Sequence, residues 1–177
     1  DRRDFCSHYD EEKIKKESGA LYLKGWQTGN YQFWNKLGFT DGRAPRPAAY
    51  YTQQVGNEKI VKNKTPLNPA AYEAGWQSGN AEYWIAIGDQ DGVAGRPSNS
   101  ELERQQAAGE ITFRRDAYRQ GWDRGNTAYW TRMGTEDAHN GVSDKQFFEH
   151  QKQANLKGLL VRENAYRTAW DKEIVEY

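Results

Sequence analysis

The stretch Tyr-Glu-Ala-Gly-Trp-Gln-Ser-Gly-Asn-Ala-Glu-Tyr-Trp-Ile-Ala-Ile-Gly-Asp-Gln-Asp-Gly at 72–92 decides the fold of this chain. Its pattern is Tyr-x-x-Gly-Trp-x-x-Gly-Asn-x-x-aromatic-Trp-x-x-apolar-Gly-x-x-Asp-Gly. The pattern occurs in full at 22–42 and, with Ala138 in place of the last glycine, at 118–138. Self-similarity at a nearly fixed spacing is the sequence signature of repeat architectures. The chain is therefore predicted to be a repeat protein with three full copies of one unit.

A fourth copy begins near the C-terminal end of the sequence. It opens with Tyr166, Ala169 and Trp170, has Glu173 at the second glycine position and reaches Tyr177, one residue before the next Trp position. All seven tryptophans lie in the four copies, so the repeat is the strongest signal in the sequence. The truncation predicts a continuation of the chain, or a partner, beyond Tyr177.

The unit has the periodicity of an amphipathic helix. Counted from its Tyr, the apolar positions 0, 4, 11 and 15 point to roughly 0°, 40°, 20° and 60° at about 100° per residue, which forms one narrow stripe. Asn68 followed by Pro69 is typical of a helix start. We expect each helix to stop at a left-handed glycine, namely Gly38, Gly88 and Gly134. The predicted helices lie near 20–37, 69–87, 116–133 and 164–177.

Two glycines fall inside each predicted helix, for example Gly75 and Gly79. A glycine in a helix interior costs about 1 kcal/mol relative to alanine, so a cost repeated in three copies needs an offset. The glycines flank the aromatic stripe, where they would let another backbone or a Trp ring approach closely. Close helix packing is the favoured interpretation, and a groove for a ligand is the alternative.

Shorter helices are predicted between the long ones. Ser100 with Glu103 has the spacing of a capping box, for a helix ending near Gly109, and Ser143 with Gln146 opens another, running to about Asn155. Segment 43–68, with its three prolines, is predicted to be loop. The fold class is all-α: tandem helical-hairpin repeats, three full and one truncated, with a period of 46 to 50 residues, stacked in a short array within one domain, 1–177. The repeats are predicted at about 20–68, 69–115 and 116–163, with the partial repeat at 164–177.

Composition supports a folded protein and argues against some partners. The chain is only 36% hydrophobic, with a mean hydropathy of −1.09, yet it has 7 Trp, 11 Tyr and 6 Phe. Disordered segments lack aromatic residues, so we expect an aromatic core under a polar surface. Lys+Arg and Asp+Glu are both 25, and this balance argues against binding to nucleic acid or to an anionic membrane. No stretch approaches the roughly 20 apolar residues of a transmembrane helix.

The stretch 82–129 resembles a proteobacterial family of small predicted lipoproteins of unknown function. The family hallmark is a Trp, a Gly-x-x-Asp-Gly-x-x-Gly stretch, a polar helix and then Tyr-x-x-Gly-x-x-x-Gly-x-x-Tyr. The matching residues are Trp84, Gly88, Asp91, Gly92, Gly95, Tyr118, Gly121, Gly125 and Tyr129. The resemblance implies a bacterial periplasmic location, with association to the outer membrane through a lipid anchor outside this chain. It implies no activity and no catalytic residue.

The chain departs from this family in its cysteines. The family usually carries several, one of them directly after the last Tyr, where this chain has Trp130. Its single cysteine, Cys6, allows no intrachain disulfide and follows Arg-Arg-Asp-Phe, which is not a lipidation signal. We interpret it as an incidental thiol. The sequence opens on Asp1 without a signal peptide, as a mature or trimmed product would.

Acidic and basic residues recur at the end of each full unit. Asp41, Asp91 and Asp137 share one position, and Arg46 and Arg96 follow five residues after the first two. One interpretation is an anion or glycan site at each turn, in which Arg binds in bidentate fashion. The favoured one is an Asp–Arg pair, or an Asp that binds turn amides, inside each repeat. Copy three has Val142 at the Arg position, so a repeated binding site would be incomplete there.

The second Trp and the Asn of each unit are the other candidates. Trp34, Trp84 and Trp130 point to about 120° from the Tyr, off the main stripe. They are predicted to form the outer edge of the core, and the alternative is an exposed row that stacks on sugars or peptides. The Asn residues are expected to bond to neighbouring backbone rather than to a ligand. They are Asn30, Asn80 and Asn126.

The sequence contains no catalytic or metal-binding constellation. His8, His139 and His150 lack metal-ligand spacing, and no nucleophile motif or phosphate loop is present. An enzyme would need carboxylates that converge in a cleft, such as Asp91 with Glu101 or Glu103. The function predicted first is a non-enzymatic envelope protein that binds other envelope proteins as a scaffold or assembly component, without a cofactor. The alternative is a module that binds a small ligand or a glycan, such as a cell-wall fragment, through exposed Trp and Arg side chains.

Overall fold

A computed structural model describes residues 7–57 and 66–175. Four long helices each carry one copy of the unit, and short helices connect the first three copies to the next. The helices are α1 (Ser7–Arg43), α2 (Tyr51–Val55), α3 (Pro69–Val93), α4 (Ser100–Ala107), α5 (Arg115–His139), α6 (Gln146–Leu156) and α7 (Glu163–Val175), with a 3-10 turn at Ala48–Tyr50. The described part of the chain contains no strand. The prediction of an all-α repeat array is confirmed.

The long helices end later than the sequence pattern predicted. Gly88 lies inside α3, which runs on to Val93, so the prediction that Gly38, Gly88 and Gly134 stop their helices is wrong. The left-handed glycine of copy two is Gly95, with φ +67°, and Gly141 has the same backbone conformation at the equivalent position of copy three. In these two copies the helix end has the bonds of a Schellman motif, in which, for copy two, the Arg96 amide donates to the Asp91 carbonyl and the Gly95 amide to that of Gly92. Asp91 consequently lies in the last turn of α3 rather than after the helix.

The first two crossings between long helices are each made by two pairs of glycines, whereas the third has only Gly134, with Ala138, Ala169 and Glu173 at the other positions. A Cβ atom on Gly75 would lie closer than 3.0 Å to the Asn35 carbonyl, and one on Gly38 would meet the Tyr72 carbonyl in the same way. Gly42 faces Trp76, further along both helices, so the two helices run parallel. Only glycine allows this approach, which gives many backbone contacts and offsets the cost of glycine in a helix. The prediction that the internal glycines serve close helix packing is confirmed for these crossings.

This packing divides the unit into two halves. We call the stretch from Tyr to Asn the first half (72–80 in copy two) and the stretch from the second Trp to the last glycine the second half (84–92). The second half of each long helix packs against the first half of the next, from α1 to α3, from α3 to α5 and from α5 to α7. The array is therefore a staggered row of parallel long helices.

The connecting segments fit the prediction in part. Helices α4 and α6 lie where capping boxes were expected, but no side-chain cap bond forms at the start of either helix. Segment 43–68, predicted to be loop, contains a 3-10 turn and the short helix α2. The Asn68 side chain accepts a hydrogen bond from the Ala71 amide at 3.1 Å, and Pro69 begins α3 as expected.

The core is built from aromatic rings, as the composition predicted. Trp34, Trp130, Tyr118, Tyr166 and Phe147 are among the largest fully buried side chains. Rings from the long helices meet rings from the connecting segments edge to face, which is the favourable geometry for aromatic pairs. None of the helices in the described ranges combines the length and the apolar character that crossing a membrane requires.

Candidate functional site

The repeated Asp joins each copy to the next. Asp91 is buried at the end of α3 and accepts a hydrogen bond from the Tyr118 hydroxyl of α5 at 2.9 Å. The same bond links Tyr72 to Asp41 at 2.8 Å and Tyr166 to Asp137 at 2.6 Å. The first Tyr of copies two, three and four thus binds the Asp of the copy before it.

Each Asp also has a partner within its own copy. Arg46 donates to Asp41 at 2.6 Å, and the predicted Asp–Arg pair is confirmed there. Two guanidinium groups form ion pairs with Asp91: that of Arg104 at 2.6 Å and that of Arg96 at 3.4 Å. The interpretation of an Asp–Arg pair inside the repeat is therefore supported for copies one and two, whereas Asp137 of copy three is bound to His150.

A second partner of each Asp was missed from the sequence. It lies 13 residues further on in every copy: Gln54 for Asp41, Arg104 for Asp91 and His150 for Asp137. The constant spacing was visible in the sequence. The residue type changes from copy to copy, however, and this change hides the pattern.

The surroundings of Asp91 favour its charged form. Burial alone would raise the pKa of this carboxyl. The hydrogen bonds from Arg104 and Tyr118, together with the charges of Arg104 and Arg96, outweigh burial and hold the pKa below its usual value. Burial and the bond to Asp91 also raise the pKa of Tyr118, so this phenol stays protonated and remains a donor.

The tryptophans of the unit donate to backbone carbonyls wherever the unit packs on a preceding copy. The first one reaches the turn after the preceding helix: Trp76 donates to the Arg46 carbonyl at 2.9 Å and Trp122 to that of Arg96 at 3.1 Å. Trp170 makes the matching bond to Val142 at 3.0 Å. The carbonyl five residues after the Asp is thus a repeated acceptor, whatever the side chain at that position.

The second tryptophans form part of the core. Trp34, Trp84 and Trp130 are at most 3% exposed, and each indole donates to a carbonyl of its connecting segment. The prediction that they lie in the core is confirmed, and the alternative of an exposed stacking row is wrong. The rings are buried because the connecting segment covers the outer side of each long helix.

The Asn residues follow the prediction in two copies. Asn30 donates to the Pro66 carbonyl at 2.8 Å and Asn126 to that of Leu160 at 2.9 Å. The buried Asn80 instead accepts from Arg114 at 3.3 Å. These contacts tie the interior of α1, α3 and α5 to the segment that leads into the next long helix.

One surface of the unit is exposed in copy one and buried in the later copies. We call it the N-terminal face of α1. It consists of Leu21, Tyr22, Gly25, Trp26, Gly29 and Asn30. Tyr22 is 75% exposed and Trp26 45%, whereas their counterparts Tyr72 and Trp76 are 2% and 4% exposed. No described atom lies within 4 Å of a Cβ built on Gly25 or Gly29. The face therefore carries all the groups of the interface between copies but contacts no other copy.

Two open grooves lie elsewhere on the molecule. One, of about 850 Å³, lies between α5 and α7 and is lined on the α5 side by Thr127, Thr131 and Thr135. The other, of about 550 Å³, lies beside α4 and contains Glu101. The Glu101 carboxylate is paired with Arg115 at 2.7 Å and with Arg119, so it is not free to act in a carboxylate cluster with Asp91. No three His, Cys, Asp or Glu side chains are grouped as a metal would need within 7–57 and 66–175.

The structure describes two of the three histidines in full and does not describe the single cysteine. Cys6 is outside the described residues, and the side chain of His8 is not described. His139 lies near Glu173 at 3.7 Å, and His150 is bound to Asp137 at 2.7 Å, so the two described histidines have carboxylate neighbours.

The fold and the repeated contacts place the chain in the class of helical repeat proteins. Comparison with protein-family models, with curated proteins and with solved structures found no match to this chain. The resemblance to the lipoprotein family therefore stays a prediction.

The N-terminal face predicts a simple fluorescence result. Trp26 is exposed, whereas five of the other tryptophans are at most 5% exposed and Trp170 is half-buried. We expect iodide to quench mainly Trp26, and Trp26→Phe to remove most of the quenchable emission while the blue-shifted remainder persists. Steady-state quenching of the two proteins measures this. Equal quenching of both would show that Trp26 is covered in solution.

Proposed function

We propose that this protein is a non-enzymatic, protein-binding scaffold or assembly component that binds through the N-terminal face of α1. One observation carries the proposal: the face that joins consecutive copies throughout the array is exposed on the first copy. Apart from Leu21, which stands where α3 and α5 have Ala71 and Ala117, its residues are the same types, at the same spacing, as those that form the buried contacts of α3 and α5. A surface with this composition is suited to a protein partner.

The energetics of the face support binding. Full burial of an aromatic or a leucine side chain contributes about 1.5–3 kcal/mol, and Leu21, Tyr22 and Trp26 are all at least 45% exposed. A contiguous exposed apolar patch of this kind commonly marks an interaction site. Aromatic residues at the centre of an interface also contribute most of the binding energy in many complexes.

The proposal includes a location in the bacterial envelope. It rests on the resemblance of 82–129 to the predicted lipoproteins, and the partner would then be another envelope protein. Anchoring to the outer membrane would come from a lipid outside this chain.

The ligand-binding alternative has lost its main support. It required exposed rings at Trp34, Trp84 or Trp130, and all three are buried. Arg46 is already paired with Asp41. The scaffold function is therefore the one we propose.

Site-specific photo-crosslinking tests the scaffold proposal. Benzoylphenylalanine would replace Trp26 in one variant and Lys24 in the control, each produced in the source bacterium and irradiated in intact cells. Lys24 is the matched control because its counterparts Ala74 and Gln120 stay exposed beside the buried face in copies two and three. We expect one or a few stoichiometric adducts from position 26 and none from position 24. No adducts, or the same adducts from both positions, would contradict the proposal.

A further inference from the structure

The N-terminal face of α1 has a known complement within the chain. In each of the three crossings between long helices, a first half packs against a second half of the form Gly-x-x-Asp-Gly, or Gly-x-x-Asp-Ala in copy three. The geometry of these crossings defines what a first half can bind. Such binding presupposes the protein-binding function proposed above for this face.

The first requirement is steric. At the crossing of α1 and α3, Gly75 and Gly79 face the backbone at Asn35 and Phe39 so closely that no Cβ fits. Gly25 and Gly29 have the same spacing and are open. A helix with two small residues four apart, placed as Gly38 and Gly42 are on α3, would pack on this face at the same backbone distance, running parallel to α1.

The second requirement is polar. In all three crossings the Tyr hydroxyl of the first half binds an Asp, and the indole N–H binds the carbonyl five residues after that Asp. Tyr22 and Trp26 present the same two donors on the exposed face. The occupant must therefore carry an Asp in its last helical turn, followed by a turn that directs a carbonyl back towards α1.

Within the described residues of a folded second copy, no second half is free to meet these requirements. Its second halves at 34–42, 84–92 and 130–138 are each covered by the next long helix. Two N-terminal faces placed against each other would bring glycines together but would supply no Asp for Tyr22. The complement must come from a different molecule or segment.

We propose that the N-terminal face of α1 binds a helix that carries the second half of this same unit, Gly-x-x-Asp-Gly followed by a left-handed turn. The incoming helix lies parallel to α1, with its glycines against the backbone at Tyr22 and Trp26, as Gly38 and Gly42 lie against Tyr72 and Trp76. Its Asp accepts from Tyr22, and its turn carbonyl accepts from Trp26. The partner is thus a protein with the same repeat, and the array is extended across the junction.

A synthetic helix tests this specificity with the intact protein. The probe is a fluorescein-labelled peptide with the sequence of residues 81–100, stapled between positions 86 and 90, which are exposed in α3. Its helicity is first established by circular dichroism, and binding to the full chain is then measured by fluorescence anisotropy. We expect saturable binding that is at least about tenfold weaker for the Asp91→Asn peptide, because a charged acceptor is lost.

Variants of the protein locate the binding site. Gly25→Leu places a side chain where no described atom lies, so it leaves the fold intact but blocks the helix crossing, and we expect at least about tenfold weaker binding. Lys24→Leu adds the same apolar group beside the face and should leave binding unchanged. A helical parent peptide that fails to bind, or one that binds the Gly25→Leu protein equally well, would overturn the inference.

The two experiments separate the two proposals. Crosslinked partners combined with no binding of the helical peptide would preserve the scaffold function and reject the repeat-type partner. Peptide binding without any crosslinked partner would reject the scaffold function in the cell, although the face would still have the proposed chemistry.

Discussion

The Gly121→Ala variant is expected to lose about 3 kcal/mol or more of its free energy of unfolding, although it adds only one methyl group. The new Cβ would lie closer than 3.0 Å to the backbone of Ile85 and Asp89. Backbone atoms cannot move aside as a side-chain end can, so α3 and α5 must separate along their crossing. The gain of about 1 kcal/mol in helix propensity does not offset this separation. Urea unfolding followed by circular dichroism measures the difference.

Gly25→Ala is the matched control because Gly25 has the same motif position in copy one. Its Cβ would meet no described atom, so only the propensity effect remains. We expect this variant to gain up to about 1 kcal/mol. The opposite signs of the two changes are the test: if both stabilise the protein, the close crossing of α3 and α5 does not exist in solution.

The glycines show what the sequence could and could not predict about the fold. The 3.6-residue periodicity located all four long helices, because burial of one stripe against a neighbour determines it. Their ends were misplaced because Gly88 and Gly95 are indistinguishable in sequence. Gly88 is required by the approach of Tyr118 from α5, and only Gly95 is left-handed. A contact between helices that lie 30 residues apart is not visible in a local pattern.

The exposure of the candidate site could not be predicted from the motif either. Tyr22 and Tyr72 occupy the same motif position, yet one is exposed and the other is buried against Asp41. The difference comes from the helix that precedes Tyr72 in the array rather than from the residue itself. The motif predicted which residues can form an interface, and their position in the array determined which of them are exposed.

The Asp91→Asn variant is expected to lose about 2–3 kcal/mol of its free energy of unfolding at neutral pH. Asp91 is buried and holds Arg104, Arg96 and Tyr118 together at the crossing of α3 and α5. An amide can still accept from Tyr118 but leaves both guanidinium groups without a countercharge. The expected loss is smaller than that for breaking a fully buried ion pair, because the Arg104 side chain is 34% exposed. Chemical unfolding at pH 7 measures the loss.

The pH dependence of this loss identifies the charge of Asp91 as its cause. The folded protein holds the pKa of Asp91 below its unfolded value, so the unfolded chain binds the proton more tightly. The stabilisation is therefore fully present above the unfolded pKa of about 3.9 and disappears as the pH falls through the lower folded value. The difference in free energy of unfolding between the wild type and Asp91→Asn should therefore become smaller over this acidic range. A purely steric effect of the substitution would keep that difference constant.

Two tyrosine variants test whether the Asp acts across the crossing. Tyr118→Phe removes the hydroxyl that binds Asp91, and we expect a loss of about 1–2 kcal/mol. In the double variant with Asp91→Asn the losses should be less than additive, because the two residues share one bond. Tyr22→Phe removes the same group at the same motif position, where it is exposed, and should change stability by less than about 0.5 kcal/mol. Equal losses at Tyr118 and Tyr22 would mean that the Asp–Tyr bond does not join the copies, and the Asp requirement inferred for a partner of α1 would lose its basis.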